Sequence, residues 1–385
     1  MSVTDANRLD FPPPVLEGEG LDPHQRLMSG MFVDAAEMIQ MGFATPADID
    51  LSMCLGAGYP KGPLACLADL PEHQRRGFGV DVLPQTSNEQ SKVEAKSTWQ
   101  GAVGLIGTGR MASGIAEAIL RSRRPVVVLG RSPSSLEKLR TNVSRSLARS
   151  VERGRIDTDE AERCLAALQL GTDVKSLAHV DFLIEAVVEN LDEKRKLFAT
   201  LDSQLPPTIA FATNTSSFRV ADMASAVSSE RVIFAAHFFN PAQAMKLVEI
   251  ICPPGTPEGF VENATVWVRE IGKVPVRCGD QRGFLVNRLL IPFLNDAVRT
   301  LEVGATVEEI DILMTEVAGH PMGPFALIDM IGLDVMVFAL RSMAQTDDNP
   351  RLVPAKRFHD LIAQGKLGRK TGQGFHNHES NRYVR

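Results

Sequence analysis

The chain has 385 residues, which at roughly 150 residues per domain favours two or three domains. Apolar residues make up 44% and charged residues 23%, the balance of a globular protein rather than a disordered or fibrous one. With 41 Lys and Arg against 47 Asp and Glu the net charge is −6, which argues against nucleic-acid binding through phosphate neutralisation.

No apolar run approaches the roughly 18 residues that span a bilayer, so no membrane partner is expected. Met1 to Asn7 lacks the basic and apolar stretches of a signal peptide. Five cysteines, Cys54, Cys66, Cys164, Cys252 and Cys278, are odd in number and widely spaced, with no CxxC pair. They read as reduced thiols in a cytoplasmic protein, and no metal site is expected.

Residues 1–20 form a polar lead-in with Pro12-Pro13-Pro14. Residues 21–70 carry apolar positions at helical spacing (Leu27, Met31, Ala35, Met38, Ile39) and predict helices. Gln85 to Ser91 has the composition of a linker. The domain reading is 1–84 helical, 85–98 linker, 99–281 dinucleotide-binding and 282–385 helical.

A short apolar strand from Ala102 to Ile106 runs into Gly107-Thr108-Gly109-Arg110-Met111-Ala112, which opens an amphipathic helix. This is the G-x-G-x-x-A dinucleotide fingerprint. Gly107 permits the tight turn, Gly109 lets a pyrophosphate reach the backbone, and Ala112 and Gly114 let the helix lie close to the sheet. A second strand, Val126 to Leu129, follows on schedule. NAD enzymes place an acid at its end to accept the ribose hydroxyls; here the chain reads Gly130-Arg131-Ser132-Pro133. With no carboxylate to repel a 2′-phosphate, and with Arg131 and Ser132 able to bind one, NADP is favoured over NAD. A solvated Arg131 would leave the cofactor open.

The next helical stretch carries Arg145, Arg149, Arg153 and Arg155. They suit a polyphosphate or form a solvated helix face. Asp181 to Asn190 reads as a buried strand leading to Glu189, and Ile209 to Thr213 as another ending in Asn214-Thr215-Ser216-Ser217. His237 and Glu249 then sit in two apolar strand-like runs separated by a Pro-containing connection. On neighbouring strands the carboxylate would reach the imidazole, the arrangement a base needs to take a hydroxyl proton during alcohol oxidation. A buried Glu249 is costly unless paired, which favours this pairing over a satisfied core histidine.

From Gly283 the pattern is helical again, and it repeats the first helical stretch. Arg26, Leu27, Asp34, Gly42, Thr45, Ile49, Asp50, Met53, Gly58, Pro60, Gly62 and Pro63 meet Arg288, Leu289, Asp296, Gly304, Thr306, Ile310, Asp311, Met314, Gly319, Pro321, Gly323 and Pro324. Thr306 with Glu309 predicts a capping box, and Thr45 with Asp48 a weaker one.

The motifs GLIGTGRMASGIA, EAVVENLDEK, TNTSSF, HFFNPAQAMKLVEI, GFLVNRLL, GHPMGPFALIDMIGLD and GRKTGQGF together resemble the L-3-hydroxyacyl-CoA dehydrogenase family over about residues 100–377. Residues 21–70 resemble that family's C-terminal domain a second time. The resemblance implies a doubly wound Rossmann-type α/β domain flanked by two related all-α domains, and interconversion of L-3-hydroxyacyl-CoA and 3-ketoacyl-CoA in fatty acid metabolism. It implies His237 as base, Glu249 as its partner, and Ser216 and Asn287 as substrate-oxygen contacts. On the cofactor side it implies Glu189, Lys194 and Asn214, and on the CoA side Ser146 and Arg153.

Three departures stand out. Gly130 replaces the ribose-binding acid, the family's GFY is GFH with His376, and Gln25 stands in the first repeat where the second has Asn287. The family dimerises through its C-terminal domain, so the extra copy implies either a homodimer or a pseudo-dimer within one chain. A non-CoA β-hydroxy acid or carrier-bound thioester as substrate, and a non-catalytic NADP-binding sensor, are the competing readings.

Overall fold

A computed structural model describes residues 21–78 and 96–378. They fall into two compact units, one uniting the two helical segments and one running to Phe284. The expected lead-in and most of the linker at 85–98 lie outside the described residues.

In the first helical segment α1 (Pro23–Gln40) buries Leu27, Met31, Ala35 and Met38 of the positions the periodicity selects, and leaves the fifth, Ile39, half-buried. Gly42 then takes a left-handed φ of 62°. Thr45 caps α2 (Pro46–Ser52), whose last turn widens into a π-helix over Met53–Ala57. α3 (Pro63–Ala68) and α4 (Glu72–Gly77) complete the segment.

The dinucleotide unit is an eight-stranded sheet in the order β3-β2-β1-β4-β5-β6-β7-β8. Its strands are β1 (Val103–Ile106), β2 (Val126–Leu129), β3 (Leu168–Gly171), β4 (Phe182–Glu185), β5 (Ala210–Thr213), β6 (Ile233–Phe238), β7 (Leu247–Ile251) and β8 (Val274–Cys278). β1 to β6 are mutually parallel, and β7 enters antiparallel to β6. Short runs such as VVVL are buried along their whole length because helices cover both faces.

α5 (Arg110–Arg121), α6 (Pro133–Glu152) and α10 (Glu258–Glu270) build one core with Ile115, Leu139 and Trp267. α7 (Thr158–Ala166) adds Cys164 to it. α8 (Leu191–Gln204) packs Phe198 and Leu201 into the other core, which Met223 of the single turn α9 (Ala221–Ala224) joins. Ser97 and Thr98 already belong to this unit, since Asn263 of α10 accepts from both hydroxyls.

The second helical segment comprises α11 (Val286–Thr300), α12 (Val307–Ile312), α13 (Pro324–Ile331), α14 (Leu333–Met343) and α15 (Lys356–Ala363). Its first half repeats the first segment in detail. α12 also ends in a π-turn, at Leu313–Val317, and Gly319, like Gly58, is left-handed. Asp311 accepts from the backbone N–H of Phe325 at 2.8 Å and of Ala326 at 3.2 Å; Asp50 accepts from Leu64 at 2.8 Å and Ala65 at 2.9 Å. Each aspartate thereby caps the helix that follows the Pro/Gly turn. A Cβ on Gly62 or Gly323 would fall 2.3 Å from that aspartate, so the repeated glycine makes room for the repeated acid. Thr306 and Glu309 form the expected capping box, and Thr45 accepts from Asp48 N.

The two segments pack on each other as pseudo-symmetric halves. Tyr59 stacks on its repeat counterpart His320 with centroids 3.8 Å apart. Gly58 meets Pro321 and Gly319 meets Pro60 reciprocally. Burial pushes His320 down to about 4, with His24 adding to the fall, so a neutral ring stacks on Tyr59. Arg351, buried, pairs with both Asp34 and Asp296. His376, the departure in the GFH motif, bonds Asp311 Oδ2 through Nε2 at 2.8 Å and so braces the second copy's helix cap.

Candidate active site

The order of the sheet reverses between β1 and β4, and the crevice beyond the strands' carboxyl ends at such a point is where open α/β sheets bind ligands. Backbone bonds carry the ladder past the strand ends there: Ala186 N to Ile106 O at 2.8 Å and Asn214 N to Glu185 O at 2.8 Å. Gly107, Glu189 and Asn214 thus come to one edge.

The turn after β1 fits a dinucleotide. Gly107 has φ 121°, and a Cβ there would sit 2.4 Å from the carbonyl oxygen of Ala186. Gly109 is the N-cap of α5, with no side-chain cap and no atom within 4 Å of where its Cβ would lie. The first-turn N–H groups of α5 are thereby left for a pyrophosphate. Arg110 is exposed beside them and Met111 half-buried.

Gly130 is fixed by packing. A Cβ at this position would lie 2.7 Å from Leu136 Cδ2 and 3.0 Å from Thr108 Cγ2, so no carboxylate fits there without displacing Leu136. Arg131 is exposed, and Ser132 caps α6 by accepting from Ser135 N at 3.3 Å.

Glu189 Oε1 accepts from Thr215 Oγ1 at 2.6 Å and from the N–H groups of Ser216 and Ser217 at 3.0 Å each. Burial pushes this carboxyl up, but Lys194 and the bonds from Thr215 and Ser216 outweigh it and hold the group below its ordinary value. The Lys194 ammonium is only 1% exposed. It donates to Glu185 at 2.7 and 2.8 Å and lies 3.3 Å from Glu189 Oε2. Its position orients Glu189 rather than offering an open face to a ligand.

Glu185 is the residue the sequence reading missed. Fully buried at the end of β4, it also accepts from Thr213 Oγ1 and Val187 N, each at 2.7 Å. A lone acid inside an apolar strand was the signal that could have found it, since such a group must be paired.

β6 and β7 set His237 and Glu249 directly opposite in register. His237 Nδ1 lies 2.6 Å from Glu249 Oε2, with Glu249 wholly buried. The carboxylate selects the tautomer in which Nδ1–H donates to it, leaving Nε2 as the proton acceptor. Phe239 and Phe284 flank the ring at 4.6 and 5.5 Å between centroids. Asn214 Oδ1 accepts from Phe238 N at 2.8 Å and ties the ends of β5 and β6 together. Ser216 is half-buried, its hydroxyl 3.4 Å from that of Ser217. Asn287 stands in the first turn of α11, in the helical unit.

On α6, Leu136, Leu139, Val143 and Leu147 face the core, while Arg145, Arg149 and Arg153 are exposed on one side. Ser146 is half-buried and hydrogen-bonds Glu117 of α5. Among the described residues no cluster of His, Cys, Asp and Glu could hold a metal, and no helix is long and apolar enough to cross a membrane.

Residues 102–281 match the family described as 3-hydroxyacyl-CoA dehydrogenase, NAD binding domain. The description 3-hydroxyacyl-CoA dehydrogenase, C-terminal domain, matches twice, at 24–102 and 283–378. The mitochondrial hydroxyacyl-coenzyme A dehydrogenase of Rattus norvegicus is 39% identical, over 72% of this chain and 91% of that protein. The solved structure of M. tuberculosis FadB2 has a TM-score of 0.70 at 35% identity, covering 74% of this chain and 99% of that one. That of the (S)-3-hydroxybutyryl-CoA dehydrogenase PaaH1 from Ralstonia eutropha has 0.70 at 34%, covering 72% and 99%. The chain is an oxidoreductase with a nicotinamide-binding Rossmann domain, and it belongs to the 3-hydroxyacyl-CoA dehydrogenase family, with that family's C-terminal domain present in two copies.

Proposed function

We propose that the protein interconverts L-3-hydroxyacyl-CoA and 3-ketoacyl-CoA, and that the His237–Glu249 pair performs the proton transfer. The observation that carries this reading is the 2.6 Å contact between a buried carboxylate and an imidazole set opposite it in register. With its pyrophosphate held by the N–H groups at the start of α5, a nicotinamide dinucleotide would supply the hydride acceptor or donor.

In the oxidative direction His237 Nε2 takes the proton of the substrate hydroxyl. Glu249 stabilises the imidazolium through Nδ1–H and keeps the ring from turning. In the reverse direction the same nitrogen returns the proton to the forming alkoxide. Ser216 and Asn287 hold the substrate oxygens, Glu189 and Asn214 shape the cofactor side, and Ser146 and Arg153 face the CoA. The exposed row Arg145, Arg149 and Arg153 suits the phosphates of CoA.

We assign NADP as the preferred cofactor. A Cβ at position 130 would meet Leu136, and the stretch Gly130-Arg131-Ser132-Pro133 after β2 contains no acid to repel a 2′-phosphate. We further infer a single-chain pseudo-dimer as the working unit, a reading supported by the packing of the first helical segment on its repeat through Tyr59, His320 and Arg351. Five cysteines, none of them in a disulfide, fit a reducing compartment such as the cytoplasm.

The test is absorbance at the reduced-nicotinamide band with acetoacetyl-CoA, using NADPH and NADH in parallel and His237→Ala as control. Turnover that falls by about 10² to 10⁴ in the variant supports the reading. Absence of turnover with either cofactor, alongside measurable NADPH binding, moves the reading to a non-CoA substrate or to a non-catalytic NADP-binding sensor.

A further inference from the structure

The loop joining the strands of His237 and Glu249 is held by a lysine from outside both strands. Residues 239–246 run from β6 to β7, and Pro241 O closes a turn there by accepting from Ala244 N at 2.9 Å and Met245 N at 3.0 Å. Two other carbonyls of the loop, those of Ala242 and Met245, accept from Lys273 Nζ at 2.7 Å each. Lys273 lies between α10 and β8 and is buried. The next residue, Val274, donates its N–H to Lys246 O at 2.8 Å and secures the end of the loop as well.

The opposite side of the loop rests on α5. A Cβ added at Gly114 would fall 2.7 Å from Gln243 Oε1 and 3.2 Å from Ala242 Cβ. α5 is the helix whose N-terminus receives the dinucleotide, so the loop is gripped between the cofactor helix and Lys273. The charged groups facing Lys273 are Arg121 and Glu117, both on α5. Burial pushes the amine down to about 8, Arg121 adding to the fall and Glu117 opposing it. It is charged at neutral pH, and its bonds to the two carbonyls are charge-assisted.

We propose that Lys273 is a positioning residue of the reaction: by bridging the carbonyls of Ala242 and Met245 it sets the His237–Glu249 pair against the dinucleotide helix. The inference rests on the dehydrogenase reading above. Misplacing a reacting group by about 1 Å can cost about 10²-fold in rate.

The experiment compares Lys273→Met and Lys273→Arg with wild type in the full chain. Lys273→Met keeps the aliphatic stem and removes the donors, and should lower kcat about 10- to 100-fold. KM for the cofactor should stay within about twofold, the split that marks lost chemistry rather than lost cofactor binding. Lys273→Arg, still a cation, should recover most of the loss. Nitrogen-15 resonances of the His237 ring, assigned by their absence from His237→Ala, are read in parallel. They should move in Lys273→Met while those of His376 and His378 stay.

Wild-type kcat together with an unmoved His237 ring overturns the proposal. The ring readout needs no turnover: an inactive wild type would sink the dehydrogenase reading and leave the hold on His237 to the resonances. If Lys273→Met does not fold, Lys273→Gln takes its place. Its amide is one bond short and cannot reach both carbonyls, so wild-type kcat and ring resonances there overturn the proposal equally.

Discussion

Asp34 and Asp296, counterparts in the repeat, are held by the same guanidinium, that of Arg351. Two buried acids share one cation, and burial pushes both carboxyls up against the pull of Arg351. The arrangement is not doubled, although the elements around it are.

That asymmetry predicts unequal effects. Arg351→Met strands two buried acids, and should cost about 3–5 kcal/mol in chemical denaturation. Asp34→Asn leaves the pair between Arg351 and Asp296 in place and should cost much less. The pH dependence has a definite sign. A carboxyl raised in the folded state binds its proton more tightly there than in the unfolded chain. Wild type should therefore gain stability relative to Asp34→Asn as pH falls from 7 towards 4.5. Melting both proteins across this range checks it, and a relative loss would contradict the assignment.

Glu249→Gln should leave the fold of β6 and β7 intact, because the amide is isosteric with the carboxylate. It removes the charge that stabilises the imidazolium and permits the wrong tautomer. A kcat fall of about 10² to 10⁴, with cofactor binding retained, is expected by steady-state absorbance and cofactor titration.

Cofactor choice should respond to paired substitution at the tip of β2. Gly130→Asp alone drives its Cβ into Leu136 and should lower stability. Combined with Leu136→Ala, the new acid has room and should shift kcat/KM towards NADH by about 10-fold or more, the order of about one to two charge-assisted bonds gained or lost. Arg131→Ala should weaken NADPH alone. Equal losses for both cofactors would remove Arg131 from the site.

Deleting residues 1–95 should expose the α11 face and the ring of His320. Light scattering should report the full chain as a monomer of 41.9 kDa, and the truncated chain as a dimer or aggregate. A truncated protein that stays monomeric and active would separate the first segment from any role as an internal partner.

Much of this was legible before the structure. The glycine fingerprint, the opposed His237 and Glu249, and the repeat are local patterns in which residue type and spacing carry the physics. What stayed hidden depends on which elements become neighbours. Lys273 reads as an ordinary surface lysine until β8 is set beside β7 and the loop carbonyls come within reach. Arg351 gives no signal of standing between Asp34 and Asp296, 317 residues from one of them. Lys194 looks like a ligand contact until Glu185 is found beneath it. His376 makes sense only once Asp311 is seen to cap α13.

The internal pairing of the two helical segments also changes how the protein meets dilution. A symmetric dimer comes apart as its concentration falls, because association is bimolecular. Here the partner surface is tethered, so its effective concentration is set by chain connectivity and not by expression level. The stacked Tyr59 and His320 should stay together in a single molecule as readily as in a concentrated solution.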